Sequence, residues 1–318
     1  MYRYLVLVFL GAFGAVAALA SDEKVAQEFV RAVKLGALET VKKMAQEGAD
    51  VNGLDPNGWT GLMYAAYSGN EPMVNVLVNL GADVNWTDRY GWYPMMNAAV
   101  VGHAKVVSAL IEFGSLVDKP NQSGETPLMV AAYKQQTDVV DVLLLQGADA
   151  KPVDKKGQNA LMKASQRGTM RIVDALLAHG LNLDLQDVEG RTALIHAAIQ
   201  GYGDYIERLF EAGANPNLKD KTGSTALILA SEYGKQKGVL SLLSIGADID
   251  EKNRSGNTAL MLACQGGYAD VARHLLKAGA RLDLTNLEGK TAKQLASQSG
   301  RENVVKFLED YAAKSGGK

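Results

Sequence analysis

The stretch DVEGRTALIHAAIQGYGDYIERLFEAGANPNLK, residues 187–219, reads as one complete structural unit. Asp187 and Gly190 supply a tight turn, the first through its short acceptor side chain and the second through its freedom at positive φ. Thr192 stands where a helix opens, with a hydroxyl able to accept from the exposed N–H groups of the first turn. Leu194, Ala197 and Ala198 then fall on one helical face, and Gly201 ends the helix. Ile206, Leu209 and Phe210 repeat the spacing in a second helix, which Gly213 stops as glycine does just past a helix C-terminus. The spacing predicts a turn followed by two antiparallel helices.

Working outward, the same unit recurs along the chain. Gly58, Gly91, Gly124, Gly157, Gly190, Gly223, Gly256 and Gly289 are each 33 residues apart, and so are Gly48, Gly81, Gly114, Gly147, Gly180, Gly213, Gly246 and Gly279. One such unit cannot bury its own apolar face, so neighbours must stack on it and the terminal copies must present a polar outer side.

"GRTALIHAA" with "GANPN", "SGNTALMLA" with "KAGARLD", and "GETPLMVAA" with "GADAK" resemble the ankyrin repeat, whose known period is 33 residues. The resemblance spans Lys24 to about Ala312 and implies an all-α repeat solenoid: about nine units, each a β-turn finger plus an antiparallel helix pair, stacked in a curve as one array. The organisation follows as a signal peptide over 1–20, an N-terminal capping repeat over 21–52, seven internal repeats over 53–284, a C-terminal capping repeat over 285–313 and a disordered tail over 314–318. The first unit starts directly with a helix containing Phe29 and Ala32. The last carries Lys293 and Gln294 where inner copies are apolar.

The repeat register also disposes of Gly289-Lys290-Thr291, the tail of a phosphate-binding loop. Such a loop needs a glycine five positions earlier, where this chain has Leu284. Gly289 and Thr291 are the turn and capping residues of the last copy.

Several registers depart from the family pattern. The position after Thr-x-Leu, usually His and a link between adjacent turns, holds Met63, Met96, Met129, Met162, Ile195, Ile228 and Met261. A polar network between fingers is therefore expected to give way to apolar packing, and the style is closer to bacterial than animal ankyrin proteins. Tyr93 and Asn159 replace the capping Thr; asparagine can cap, whereas tyrosine cannot by the same geometry. Gln135 replaces a glycine. The third and fourth repeats, which hold Tyr93 and Gln135, are the least ideal, read as local softness or a tailored surface.

The chain opens MYRYLVLVFLGAFGAVAALA. Arg3, an apolar run from Leu5 to Ala17 and Ala18-Leu19-Ala20 make a secretory signal peptide cleaved after Ala20. An uncleaved anchor is the competing reading, weakened by the shortness of the run. The 318 residues carry a net charge of −2, which argues against nucleic acid as a partner. Cys264 is the only cysteine, so no internal disulfide forms and the residue reads as a buried small side chain. Three sequons, at Asn85, Asn121 and Asn253, matter only in a eukaryotic host.

No catalytic constellation, cofactor motif or metal-ligand spacing emerges. His103, His179, His196 and His274 lie in different repeats at different registers. The row Asp55, Asp88, Asn121, Asp154, Asp187, Asp220, Asn253 and Asn286 reads as turn residues bonding their own backbone, with cation binding as the competing reading.

Because framework registers repeat, specificity must reside in registers that do not. In the family these are the finger tips and the concave side of the first helix. They hold Trp59, Tyr90 and Trp92, then Tyr67, Val100 and Tyr133 on successive first helices, with Trp86 beside the fingers and Lys134 next to Tyr133. Exposed aromatics anchor protein interfaces; the competing reading is that Trp59 and Trp92 stack internally. Lys151, Lys155, Lys156, Lys163 and Arg167 follow as a basic patch able to steer an acidic partner, or as a merely solvated face. The signal peptide, the regular array and the lack of converging catalytic groups together point to an exported, monomeric, non-enzymatic scaffold that binds another protein, in the periplasm or outside the cell. A secreted effector directed at a host is a second reading. A small-ligand binder or enzyme using the concave groove is a third.

Overall fold

The computed structural model describes residues 22–315, which form eighteen helices and no strand. The segment read as a signal peptide lies outside the described residues. The helices divide into two compact units between Asp149 and Ala150.

In the first unit α1 spans residues 22–34, followed by α2 (Leu38–Gln46), α3 (Gly61–Tyr67), α4 (Glu71–Asn79), α5 (Pro94–Val101), α6 (Ala104–Glu112), α7 (Pro127–Tyr133) and α8 (Thr137–Leu145). The second contains α9 (Ala160–Ser165), α10 (Met170–Leu177), α11 (Ala193–Gln200), α12 (Gly203–Glu211), α13 (Ala226–Glu232), α14 (Gln236–Ser244), α15 (Ala259–Gly266), α16 (Ala269–Lys277), α17 (Ala292–Gln298) and α18 (Glu302–Ser315). In the first unit α3, α5 and α7 pack side by side, as do α4, α6 and α8. The second repeats this with α9, α11, α13, α15 and α17 in one layer and α12, α14, α16 and α18 in the other. The nine helix pairs match the count of repeats read from the glycines.

Each pair buries the same registers. In α3 and α4 these are Leu62, Met63, Ala65, Ala66, Met73, Val74 and Leu77; in α11 and α12 they are Leu194, Ile195, Ala197, Ala198, Ile206 and Leu209. Burying each large member stabilises by about 1.5–3 kcal/mol, so the layer between helix pairs is the source of cohesion. Phe210, assigned by spacing to the apolar face, instead remains partly exposed.

The local signals act as the sequence indicates. The hydroxyls of Thr60, Thr126, Thr192, Thr225, Thr258 and Thr291 and the side chain of Asn159 accept from the backbone N–H three residues on. Tyr93 makes no such cap; its ring is fully buried and its hydroxyl donates to the Leu116 carbonyl at 2.6 Å. Around Tyr93 the third repeat is therefore pinned by packing. In the fourth, Gln135 adopts φ 63°, a left-handed conformation that strains a residue with a Cβ. α18 continues through Ser315, so residues 314 and 315 are helical where a tail is expected; residues 316–318 lie outside the described residues. Phe29 and Ala32 of α1 are buried. Cys264 is buried too, and burial pushes its thiol up to about 12, which leaves it unreactive.

The fingers correct one expectation. The Met and Ile residues in the histidine register are buried, yet a polar network does link successive fingers, built from other positions. The Trp59 indole N–H donates to Asp88 at 3.2 Å, Gln158 donates to Asp187 at 3.0 Å, and the Asn286 amide donates to Asn257 at 2.9 Å. Backbone bonds reinforce them: Gln122 N–H to the Tyr90 carbonyl, Val188 to Lys156, Lys221 to Glu189, Arg254 to Thr222 and Leu287 to Ser255. At Gly91 this approach is so close that a Cβ would come within 2.8 Å of the Gln122 nitrogen, and φ is +79°. The network moved register because a linking side chain needs only to reach the next finger, and the residue after the turn glycine does so directly, as donor at Trp59 and Gln158 and as acceptor at Asn257.

Candidate binding groove

Each finger is closed by its own Asp or Asn. Oδ1 of Asp55 accepts from the N–H groups of Asn57 and Trp59, and Oδ1 of Asp88 from those of Tyr90 and Trp92. The same pair of bonds recurs at Asn121, Asp154, Asp187, Asp220, Asn253 and Asn286. The row is thus a set of turn-closing side chains, as their spacing indicates. What distinguishes one finger from another is the second oxygen.

Oδ2 of Asp55 receives the Tyr64 hydroxyl at 2.7 Å and the Lys34 ammonium at 3.1 Å. Burial alone would raise the Asp55 carboxyl, but the Tyr64, Trp59 and Lys34 hydrogen bonds outweigh it and hold the group below its ordinary value. Tyr64 lies nine residues after Asp55. Lys163 and His196 stand nine after Asp154 and Asp187 and reach those carboxylates at 2.7 and 2.8 Å. Asn97 occupies the same place after Asp88, but there Oδ2 takes the Trp59 indole N–H. The Asn97 side chain is left with only 1% of its surface exposed and an amide nitrogen that has no hydrogen-bond partner.

Around Asn97 the fingers and α3 and α5 enclose a groove of about 590 Å³, lined by Asn57, Trp59, Tyr64, Tyr67, Asp88, Arg89, Tyr90, Trp92, Asn97 and Val100. The Trp59 ring lies 4.8 Å from Tyr64 and 5.9 Å from Tyr67, so this tryptophan is held against two rings of α3. Tyr67 and Tyr90 are 49% and 56% exposed. Trp92 is half-buried and stacks on no other ring among the described residues.

A model of ankyrin repeats in sets of three copies matches residues 29–119, 76–154, 128–220 and 227–316. The chain belongs to the ankyrin repeat family. Ankyrin repeats are generally protein–protein interaction scaffolds and are typically not enzymes. No curated protein matches the sequence.

Of the residues singled out by sequence, Trp59, Tyr67, Tyr90, Trp92 and Val100 line this one groove. Trp86, Tyr133 and Lys134 belong to the same unit but lie outside its lining, and the Lys134 ammonium sits 5.9 Å from the Tyr133 ring. Lys156 and Arg167 belong to the second unit, where both are exposed. Lys156 lines a separate polar groove of about 330 Å³ with Gln158, Gln166, Glu189, Arg191 and His196. Lys163, counted by sequence in the basic patch, is buried against Asp154 and cannot present its charge to a partner. Sequence reading missed Tyr64, Asp88, Arg89 and Asn97. The available signal was the register of Tyr64, Asn97, Lys163 and His196, polar where Val130, Leu229, Leu262 and Leu295 are apolar.

The ankyrin pairs of the second unit make a pH signature. Burial pushes the Asp187 carboxyl up, but hydrogen bonds from His196, Gln158 and the Arg191 N–H, with the charge of His196, bring it down to about 2. A folded-state value below the unfolded 3.8 stabilises fully above about pH 4 and is lost as pH falls toward 2. The interval corresponds to about 2 kcal/mol. His196→Leu should therefore lower stability at neutral pH, with the gap to wild type closing between pH 4 and 2 in urea titrations. A gap that stays constant across that range would refute the assignment.

Proposed function

We propose that this chain is an exported, non-enzymatic ankyrin scaffold that binds another protein through the finger and first-helix face of its first unit. The observation that carries the proposal is the grouping of Tyr67, Tyr90 and Trp92, none of them fully buried, around one groove, since aromatics gathered in a desolvated pocket are the usual anchors of interfaces. Export rests on the N-terminal sequence, and the bacterial style of the repeats favours the periplasm as the compartment. No described helix is long and apolar enough to cross a membrane.

The test pairs fractionation with substitution. The mature chain should start at Ser21 and appear in periplasmic or secreted fractions; a Met1 terminus retained in carbonate-washed membranes would refute cleavage and favour a membrane-anchored adaptor instead. Tyr67→Ala and Trp92→Ala should each weaken capture of the partner by about 2 kcal/mol or more while moving the melting temperature little. Trp59→Ala should instead lower stability, because its indole N–H and both ring contacts serve the fold. Full capture by a folded Tyr67→Ala/Trp92→Ala double variant would show that partners bind elsewhere.

A further inference from the structure

The same groove also carries the chemistry of its occupant. We infer that it takes a linear acidic peptide segment of the partner, with one bulky apolar side chain seated between Tyr67 and Trp92, an oxygen acceptor at the Asn97 amide and a carboxylate at Arg89. This rests on the protein-binding reading above and specifies what enters the site.

Three features select that guest. The walls are aromatic, which suits a ring or a branched apolar side chain. The Asn97 amide nitrogen is buried without a partner, a state that destabilises a fold unless something else supplies an acceptor. Leucine occupies the same register at 229 and 262, so an apolar residue fits there and the unpaired amide is not demanded by the backbone. The third feature is charge. Asp88 already accepts two backbone N–H groups and the Trp59 indole, and Lys34 is bound to Asp55. Arg89 is exposed and forms no ion pair among the described residues; its guanidinium only overlies its own neighbour Tyr90 at 4.9 Å. Both oxygens of Asp88 are thus taken up by neutral N–H donors of the fold, so the charge left exposed to contact a guest is the Arg89 guanidinium, beside a carboxylate that keeps its own charge. A methylated amine, which an aromatic box would otherwise suit, would meet Arg89 and an N–H donor.

The probe is acetyl-Asp-Phe-Asp-amide, with a carboxylate on either side of the ring so that register does not matter. It is titrated into the full mature chain, and binding is read by calorimetry and by the fluorescence of Trp59 and Trp92. Replacing the probe's Phe by Ala should abolish measurable binding. Replacing both Asp residues by Asn should weaken it and remove most of its salt dependence, as should Arg89→Ser in the protein. Asn97→Leu is the decisive variant: binding should fall at least tenfold while the melting temperature rises by roughly 3 °C, because an unsatisfied buried amide is gone. A purely structural asparagine predicts unchanged binding or a lower melting temperature, and either would overturn the inference. A lysine-flanked probe binding as well as the acidic one would overturn it too, and so would N-acetylphenylalanine binding as tightly, which would mark a small-molecule site. If the probe fails while Tyr67→Ala still abolishes capture of the natural partner, the inference falls and the scaffold reading stands. If both fail, the groove is not the interface.

Discussion

Replacing Lys163 with leucine is expected to destabilise the second unit by about 3–5 kcal/mol, the usual consequence of removing one member of a buried ion pair. Its ammonium lies 2.7 Å from Oδ2 of Asp154, and both side chains are almost wholly buried. Oδ1 of Asp154 keeps its two finger N–H groups, but Oδ2 loses its cation and cannot reach water. Leucine already fills this register at Leu229 and Leu262, so shape is not the difficulty. Adding Asp154→Asn should restore much of the loss, since Asn121, Asn253 and Asn286 close their own fingers in the same way. Denaturant unfolding of the two single variants and the double variant measures this directly. A leucine variant that melts with wild type would mean that the lysine is solvated and available to partners after all.

The second large effect is expected at Tyr93. Tyr93→Ala should destabilise the first unit by about 3–5 kcal/mol through the cavity it leaves, and Tyr93→Phe by about 1 kcal/mol through the lost bond to the Leu116 carbonyl. The ordering separates packing from hydrogen bonding. Tyr93→Thr, which restores the residue found in this register at Thr60 and Thr126, should recover the helix cap yet remain far less stable than wild type. Recovery to full stability would show that the buried ring contributes little.

Asn97 and Lys163 show why the candidate site was only half legible. Sequence registers located Trp59, Tyr67, Tyr90, Trp92 and Val100, because residues that break a repeating framework stand out at fixed period. The same method treated Lys163 as a surface charge, because a register fixes a side chain's direction and not its depth. It passed over Asn97 because nothing local distinguishes an asparagine that reaches its finger carboxylate from one that is too short, or is forestalled by an indole from the preceding finger. Trp59 was ambiguous for the same reason: its hydrogen bond to Asp88, 29 residues on, crosses to the next finger.

The sequence by itself determined the helix pairs, the finger turns, the capping residues and the number of units. All of these depend on contacts within a few residues, repeated so often that their spacing identifies them. Tertiary structure alone decided which polar ends meet: Tyr64 with Asp55, Lys163 with Asp154, His196 with Asp187, while the Asn97 amide nitrogen is left unpaired. Those outcomes turn on side-chain length and on competition from the neighbouring finger, and a few ångströms at the floor of a groove decide whether a buried polar group is satisfied or left for a ligand.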